Sequence, residues 1–253
     1  MTEPRLFVED DLSAGALVTL NRARAHYLTG VLRRKASDAA VLFNGRDGAW
    51  RATLVDAGRA KATLRLEAQI SPQTVSPDLW LLFAPIKHGR IDFLVEKATE
   101  LGVRRLVPVL TRYTQVERVN FERLRARAIE AAEQCERLDV PEVAAPTEIG
   151  RALDRWPAER ILIVCDEAGG EPIADALAAL RAAGQGGEPL ALLVGPEGGL
   201  AEMDRRALAA GPPHRRISLG PRILRAETAA LAALACIQAA LGDWHTPPRA
   251  PST

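Results

Sequence analysis

From Leu79 onward, short uninterrupted apolar runs alternate with segments of helical period, and this pattern leaves few folds open. Leu79–Ala84 is apolar at every position. It is followed by His88–Leu101, where Ile91, Leu94, Ala98 and Leu101 fall on one helical face and Gly102 closes the helix. The alternation repeats as strand Arg104–Leu110 and helix Phe121–Arg137, strand Ile161–Cys165 and helix Pro172–Ala183, then strand Leu190–Val194 and helix Ala201–Ala210. A short strand at Arg216–Leu219 precedes a closing helix from Ala226 to Leu241. A strand that is apolar throughout is buried on both faces, so the expected fold is α/β with a mostly parallel sheet covered by helices on each side.

The first 72 residues follow a different rule. Arg5–Val8, Ala16–Leu20, Ala40–Phe43, Trp50–Val55 and Ala62–Ile70 read as short strands, with turn signals at Asn44-Gly45 and Asp47-Gly48. One helix interrupts them at Arg22–Leu32, with Leu28, Val31 and Leu32 on one face. This is the pattern of a small β-barrel. Ser71-Pro-Gln-Thr-Val-Ser-Pro77 carries no charge and two prolines, and marks a linker. Two domains are therefore expected, 1–72 and 73–253.

Charge excludes little. Lys+Arg number 33 against 32 Asp+Glu, although residues 1–72 carry 11 basic and 8 acidic side chains. The three cysteines, Cys135, Cys165 and Cys236, have no metal-ligand spacing and an odd count, which argues against a disulfide framework. The start of the sequence lacks the apolar run of a signal peptide, and no stretch approaches a membrane span. A reducing cytoplasm is the expected compartment.

In parallel α/β sheets, ligands bind beyond the carboxyl ends of strands. Two loops stand out there. Gly195-Pro-Glu-Gly-Gly199 follows a buried strand and precedes a helix. Glycines let backbone approach a ligand closely. The loop is neither a Walker A sequence nor a dinucleotide fingerprint, which weakens NTPase and dehydrogenase readings. The second loop, Leu219-Gly-Pro-Arg-Ile-Leu-Arg-Ala-Glu-Thr228, overlaps a stretch from Arg205 to Ala226 that has six arginines and no acid. A run of arginines is usually a solvated face. Here Arg222 and Arg225 sit between a strand and a helix, where guanidinium groups are suited to hold phosphate or a polarised base.

Those two loops resemble the SPOUT superfamily of knotted methyltransferases, and most closely the RsmE family of 16S ribosomal RNA uridine-N3 methyltransferases. His26-Tyr-Leu-x-x-Val-Leu-Arg33, Phe43-Asn-Gly45, Lys87–Gly102 and Glu130–Arg137 agree with that family, so the resemblance spans nearly the whole chain. It implies a trefoil-knot methyltransferase domain after a PUA-like RNA-binding barrel, a homodimer, and S-adenosylmethionine as cofactor, with no metal. Leu193, Gly195, Gly198 and Gly199 would line one wall of the cofactor site, and Leu219, Gly220, Ile223 and Leu224 the other. The partner would be 16S ribosomal RNA or the small ribosomal subunit. Thr114–Asn120 departs from the family pattern, because the next helix begins sooner than it does there.

Methylating uridine N3 requires the methyl group in line with N3, loss of the N3 proton, and stabilisation of charge on O2 and O4. Arg225 is the expected charge-stabilising residue, with Arg222 as substitute or phosphate clamp. Glu197 and Glu227 are the carboxylates beside the two loops, either of which could accept the proton or bond the cofactor amine. Glu227 also reads as an ordinary first-turn acid favoured by the helix dipole. His26, Arg33 and Arg34 are the RNA-binding candidates of the first domain, against a reading as plain surface charge. The competing functions are ribose 2′-O-methylation, a ribosome-assembly factor without catalysis, and a small-molecule α/β enzyme.

Overall fold

In a computed structural model, residues 3–114, 119–154 and 156–247 are described. The chain forms two compact units, Met1–Val75 with Ala132–Val140, and Ser76–Ala131 with Pro141–Thr253.

The first unit is built on β1 (Arg5–Phe7), β2 (Leu17–Leu20), β3 (Ala39–Phe43), β4 (Ala49–Ala57) and β5 (Ala62–Ser71). They form one mixed sheet in the order β1-β3-β4-β5-β2, with β1 parallel to β3 and the remaining pairs antiparallel. Period-2 alternation sets the register: Val18 faces Leu64 and Leu20 faces Ala62, and all four are buried. Irregularities along β4 break the ladder at three places and bend the sheet around its core. Asn44 fixes the β3–β4 turn. Its Oδ1 accepts from the backbone N–H of Arg46 and Asp47 (2.9 and 2.8 Å), and its Nδ2 donates to Asp10 O and Asp47 Oδ2.

The helix of this unit is shorter than its sequence suggests. Asn21 caps α1 (Arg22–His26) by accepting from Arg24 N at 3.1 Å. The chain then widens into a π-helical turn over Tyr27–Val31, with Leu32 N bonded to Tyr27 O. The wider turn breaks the 3.6-residue face, so Leu28 is buried but Val31 is exposed, contrary to the face expected for Leu28, Val31 and Leu32. Arg33, at φ 55°, ends the turn in the left-handed region.

The second unit holds the parallel sheet. Its strands are β6 (Leu79–Phe83), β7 (Arg105–Leu110), β8 (Glu142–Val143), β9 (Thr147–Glu148), β10 (Ile161–Cys165), β11 (Glu171–Pro172), β12 (Leu190–Val194) and β13 (His214–Ser218). The order is β11-β13-β10-β12-β6-β7-β8, with β9 also on β7, and every pair is parallel. β12 lies between β10 and β6 and is buried at all five positions, as an apolar strand covered on both faces must be. The helices are α2 (His88–Glu100), α3 (Phe121–Gln134), α4 (Ile149–Leu153), α5 (Ile173–Ala182), α6 (Glu202–Ala210) and α7 (Ala226–Ala240). α3 ends before Arg137, because Glu136 adopts φ 61°. α7 packs on β12, α2 and α5. Its buried Gln238 donates to Leu101 O at 2.6 Å, satisfying a carbonyl at the end of α2. Among the described residues no helix is long and apolar enough to cross a membrane.

Candidate functional site

Strands β13, β10 and β12 are neighbours and run parallel, so the loops leaving their carboxyl ends converge. The three loops are Asp166–Ala168 after β10, Gly195–Leu200 after β12 and Leu219–Arg225 after β13. Together they enclose a cavity of about 180 Å³.

The glycine loop folds back through a bond from Gly199 N to Pro196 O (2.9 Å) and anchors itself by burying Leu200. Gly199 adopts φ +73°, and the carboxylate of Glu167 occupies the place where its side chain would be. Any larger residue would be strained at this φ, and the Glu167 carboxylate would have to swing aside. A Cβ at Gly195 would meet Leu200 Cδ2 at 3.1 Å. Bulk there would displace the loop's own anchor. On the opposite wall Gly220 has φ +98° with open space around it, and Gly220 N bonds Ser218 Oγ at 3.3 Å.

Of the residues expected to hold the cofactor, Gly195, Gly199, Leu219, Gly220, Ile223 and Leu224 line the cavity. Leu193 is fully buried in β12, one residue before the lining begins, and supports the wall from within. Gly198 turns away from the lining and packs on Tyr113. Ile223 is 93% exposed, an apolar side chain standing at the mouth of the cavity.

The charged candidates separate. Glu197 and Arg222 line the cavity, whereas Arg225 and Glu227 do not. Arg225 is the exposed N-cap residue of α7 and has no ion pair among the described residues. Glu227 is in the first turn of α7 and only 9% exposed. Glu197 and Glu227 share a partner that sequence reasoning missed. Arg90 on α2 is hydrogen-bonded to Glu197, and its Nε stands 3.6 Å from Glu227 Oε1. The second oxygen of Glu227 is buried and accepts no hydrogen bond among the described residues.

The loop after β10 was also missed. Asp166 is buried. It accepts from Arg205 (2.5 Å), Arg216 Nε (2.8 Å) and Ala168 N (3.0 Å). Burial alone would raise its pKa, but the Ala168 N–H and the two guanidinium groups outweigh that and hold the carboxyl below its ordinary range. Arg205 also reaches Glu167 at 3.4 Å, so one buried acid organises two arginines and a second carboxylate beside the cavity. Burial pushes the Cys165 thiol, on the same wall, up to about 12. The available signal was positional: these residues stand directly after a buried parallel strand.

In the first unit, His26 shares a cleft with Arg22 and Arg59. Arg33 is exposed, Arg34 is partly buried, and neither belongs to that cleft. Residues 115–118 of the atypical Thr114–Asn120 segment lie outside the described residues.

The chain matches the model of an RNA methyltransferase domain over residues 74–238 and that of an RNA methyltransferase PUA domain over residues 20–67. It is 32% identical to ribosomal RNA small subunit methyltransferase E of Rickettsia conorii, over 92% of this chain and 94% of that protein. It is 34% identical to the protein of the same name from Synechocystis, over 94% and 78%. The crystal structure of a ribosomal RNA small subunit methyltransferase E from Neisseria gonorrhoeae, bound to S-adenosylmethionine, superposes with a TM-score of 0.85 at 29% identity, covering 96% of this chain and all of that one. With a PUA domain ahead of a parallel-sheet RNA methyltransferase domain, and relatives of one kind along nearly its whole length, the chain belongs to the ribosomal RNA small subunit methyltransferase E family.

Proposed function

We propose that the protein transfers a methyl group from S-adenosylmethionine to N3 of a uridine in 16S ribosomal RNA of the small subunit. The observation that carries this reading is the meeting of two backbone-rich loops, Gly195–Leu200 and Leu219–Arg225, at the carboxyl edge of the sheet. The cofactor fits what the residues offer. The glycines of one wall leave room for a flat adenine, Ile223 and Leu224 would give it apolar contact, and Glu197 would be the carboxylate on hand for a cationic group. When bound, S-adenosylmethionine supplies an electrophilic methyl group. Everything else falls to the protein. Arg225 donates hydrogen bonds to a uracil oxygen as N3 loses its proton, and Arg222 holds a neighbouring phosphate. Glu197, the carboxylate that reaches the cavity, is the favoured proton acceptor; Glu227 supports it through Arg90.

On this reading Leu219–Arg225 belongs to the trefoil knot of the superfamily, residues 1–72 are the RNA-binding domain, and residues 73–253 carry the chemistry. His26, Arg33 and Arg34 contact RNA backbone. The protein works as a homodimer in the cytoplasm, on ribosomal RNA or assembled small subunits. The test is transfer of labelled methyl from S-adenosylmethionine to small-subunit RNA, followed by nucleoside analysis. 3-Methyluridine is expected, and label on a ribose 2′-oxygen would replace this reading. Light scattering at micromolar concentration that returns a single 27.3 kDa species would reject the dimer.

A further inference from the structure

Tyr113 follows β7 and is 51% exposed, an aromatic side chain left half in water beside the glycine loop. Its place is fixed by its neighbours. Thr111 N donates to Thr114 Oγ1 at 2.9 Å and Thr114 N to Thr111 O at 3.1 Å, closing a turn around it. Arg112 N donates to the Asp204 carboxylate at 3.2 Å, and the same carboxylate accepts from Ala201 N at 2.9 Å. The turn is thereby tied to the start of α6, the helix into which the glycine loop leads. Tyr113 lies directly on that loop. A Cβ at Gly198 would stand 3.3 Å from Tyr113 Cβ and 3.6 and 3.7 Å from its ring Cγ and Cδ2. Gly198 is flanked by Glu197 and Gly199, both of which line the cavity.

Tyr113 packs on Gly198 yet keeps about half of its surface in water, so it can still take a flat partner. An enzyme that modifies a base in structured RNA must take that base out of its stack, and replaces the lost stacking with an aromatic side chain of its own. We propose that Tyr113 is the stacking platform for the target base, holding the pyrimidine beside the glycine loop, next to the residues that line the cofactor cavity. The inference rests on RNA being the substrate, as proposed above. Stacking needs the π-face and not the hydroxyl, so Phe and Trp should serve in its place. Leu keeps the apolar bulk against Gly198 but offers no face for a base.

The experiment compares Tyr113→Ala, Tyr113→Leu, Tyr113→Phe and Tyr113→Trp with the unaltered protein. It measures S-adenosylmethionine affinity by calorimetry, binding of a fluorescent oligouridylate by anisotropy, and methyl transfer to small ribosomal subunits. For Ala and Leu, oligouridylate binding should weaken about 10-fold and KM for the subunit should rise by a similar factor, the scale of one lost base–aromatic stack. Cofactor affinity and Tm should not change, and Phe and Trp should restore both RNA measurements. The proposal is overturned if Leu matches the unaltered protein, if Phe fails to rescue, or if Ala loses cofactor affinity and RNA binding together, which would make Tyr113 a prop for the glycine loop. Absence of 3-methyluridine with the oligouridylate pattern intact would instead remove uridine-N3 methylation and leave the stacking role standing.

Discussion

Arg90 on α2 holds Glu197 of the glycine loop, and its Nε lies 3.6 Å from Glu227 at the start of α7. One guanidinium therefore ties together the segments that follow two different strands. Both members of the Arg90–Glu197 pair are more than a third exposed, so the pair contributes no more than about 1 kcal/mol to stability. Its value lies in position. Arg90→Ala should leave urea unfolding nearly unchanged and lower methyl transfer by about 10²-fold, the scale for a small misplacement of reacting groups. Combining it with Glu197→Gln should add little to either single change. Fully additive losses would mean that Arg90 acts independently of Glu197.

Arg225 carries the sharpest chemical expectation. It caps α7, is exposed, and has no ion pair among the described residues, so its guanidinium is available for substrate. Arg225→Ala and Arg225→Lys should both keep cofactor affinity and lower methyl transfer by roughly 10²-fold, because Lys retains the charge but not the planar fork. Normal turnover of Arg225→Ala at saturating RNA would shift the charge-stabilising role to Arg222.

Asp166 predicts a pH dependence of stability. Its carboxyl is depressed below the ordinary value of 3.8, so the stabilisation it confers is fully present above that value and is lost as pH falls through the lower folded-state value. Asp166→Asn takes the shared carboxylate from Arg205 and Arg216, both of which reach solvent, and should cost roughly 1–3 kcal/mol at neutral pH. Its unfolding free energy should also fall less steeply than that of the unaltered protein below about pH 4, where the missing carboxylate would titrate. Arg216→Ala should cost much less, since Arg205 still holds the acid. Parallel acid limbs for the Asp166 variant and its parent would contradict the assignment.

Thiol reactivity should separate the cysteines. Cys236 is exposed on α7, whereas Cys165 is held by burial near 12 and carries almost no thiolate at pH 8. Iodoacetamide at pH 8, followed by peptide mapping, should label Cys236 within minutes and leave Cys165 unmodified until the protein unfolds. Early labelling of Cys165 would show that its wall of the cavity opens.

The parallel sheet was legible because β6, β10 and β12 are short, apolar at every position and alternate with segments of helical period. The two-residue strands β8, β9 and β11 were not, since two residues carry no period. The glycine and arginine loops announced themselves by composition. Arg90 and Tyr113 did not: each is one ordinary residue on an unremarkable segment, and only the crossing of the chain through space brings Arg90 to Glu197 and Tyr113 to Gly198. Asp166 was hidden for the same reason, its arginines being 39 and 50 positions away.

The assignment of Ala132–Val140 to the first unit sets an order of events during synthesis. Val41, Phe43 and Ala49 share a core cluster with Ala132 and Leu138, and Glu133 accepts from Phe7 N at 2.9 Å. The N-terminal sheet therefore leaves the ribosome well before the segment that finishes its core. Until Val140 has emerged, that part of the core faces solvent, and the intervening stretch must be held as a long loop whose closure costs entropy before its contacts form. A nascent chain arrested once residue 75 has cleared the ribosome should be an open, protease-sensitive sheet, and emergence of the chain as far as Val140, about 65 residues more, should convert it to the protected form.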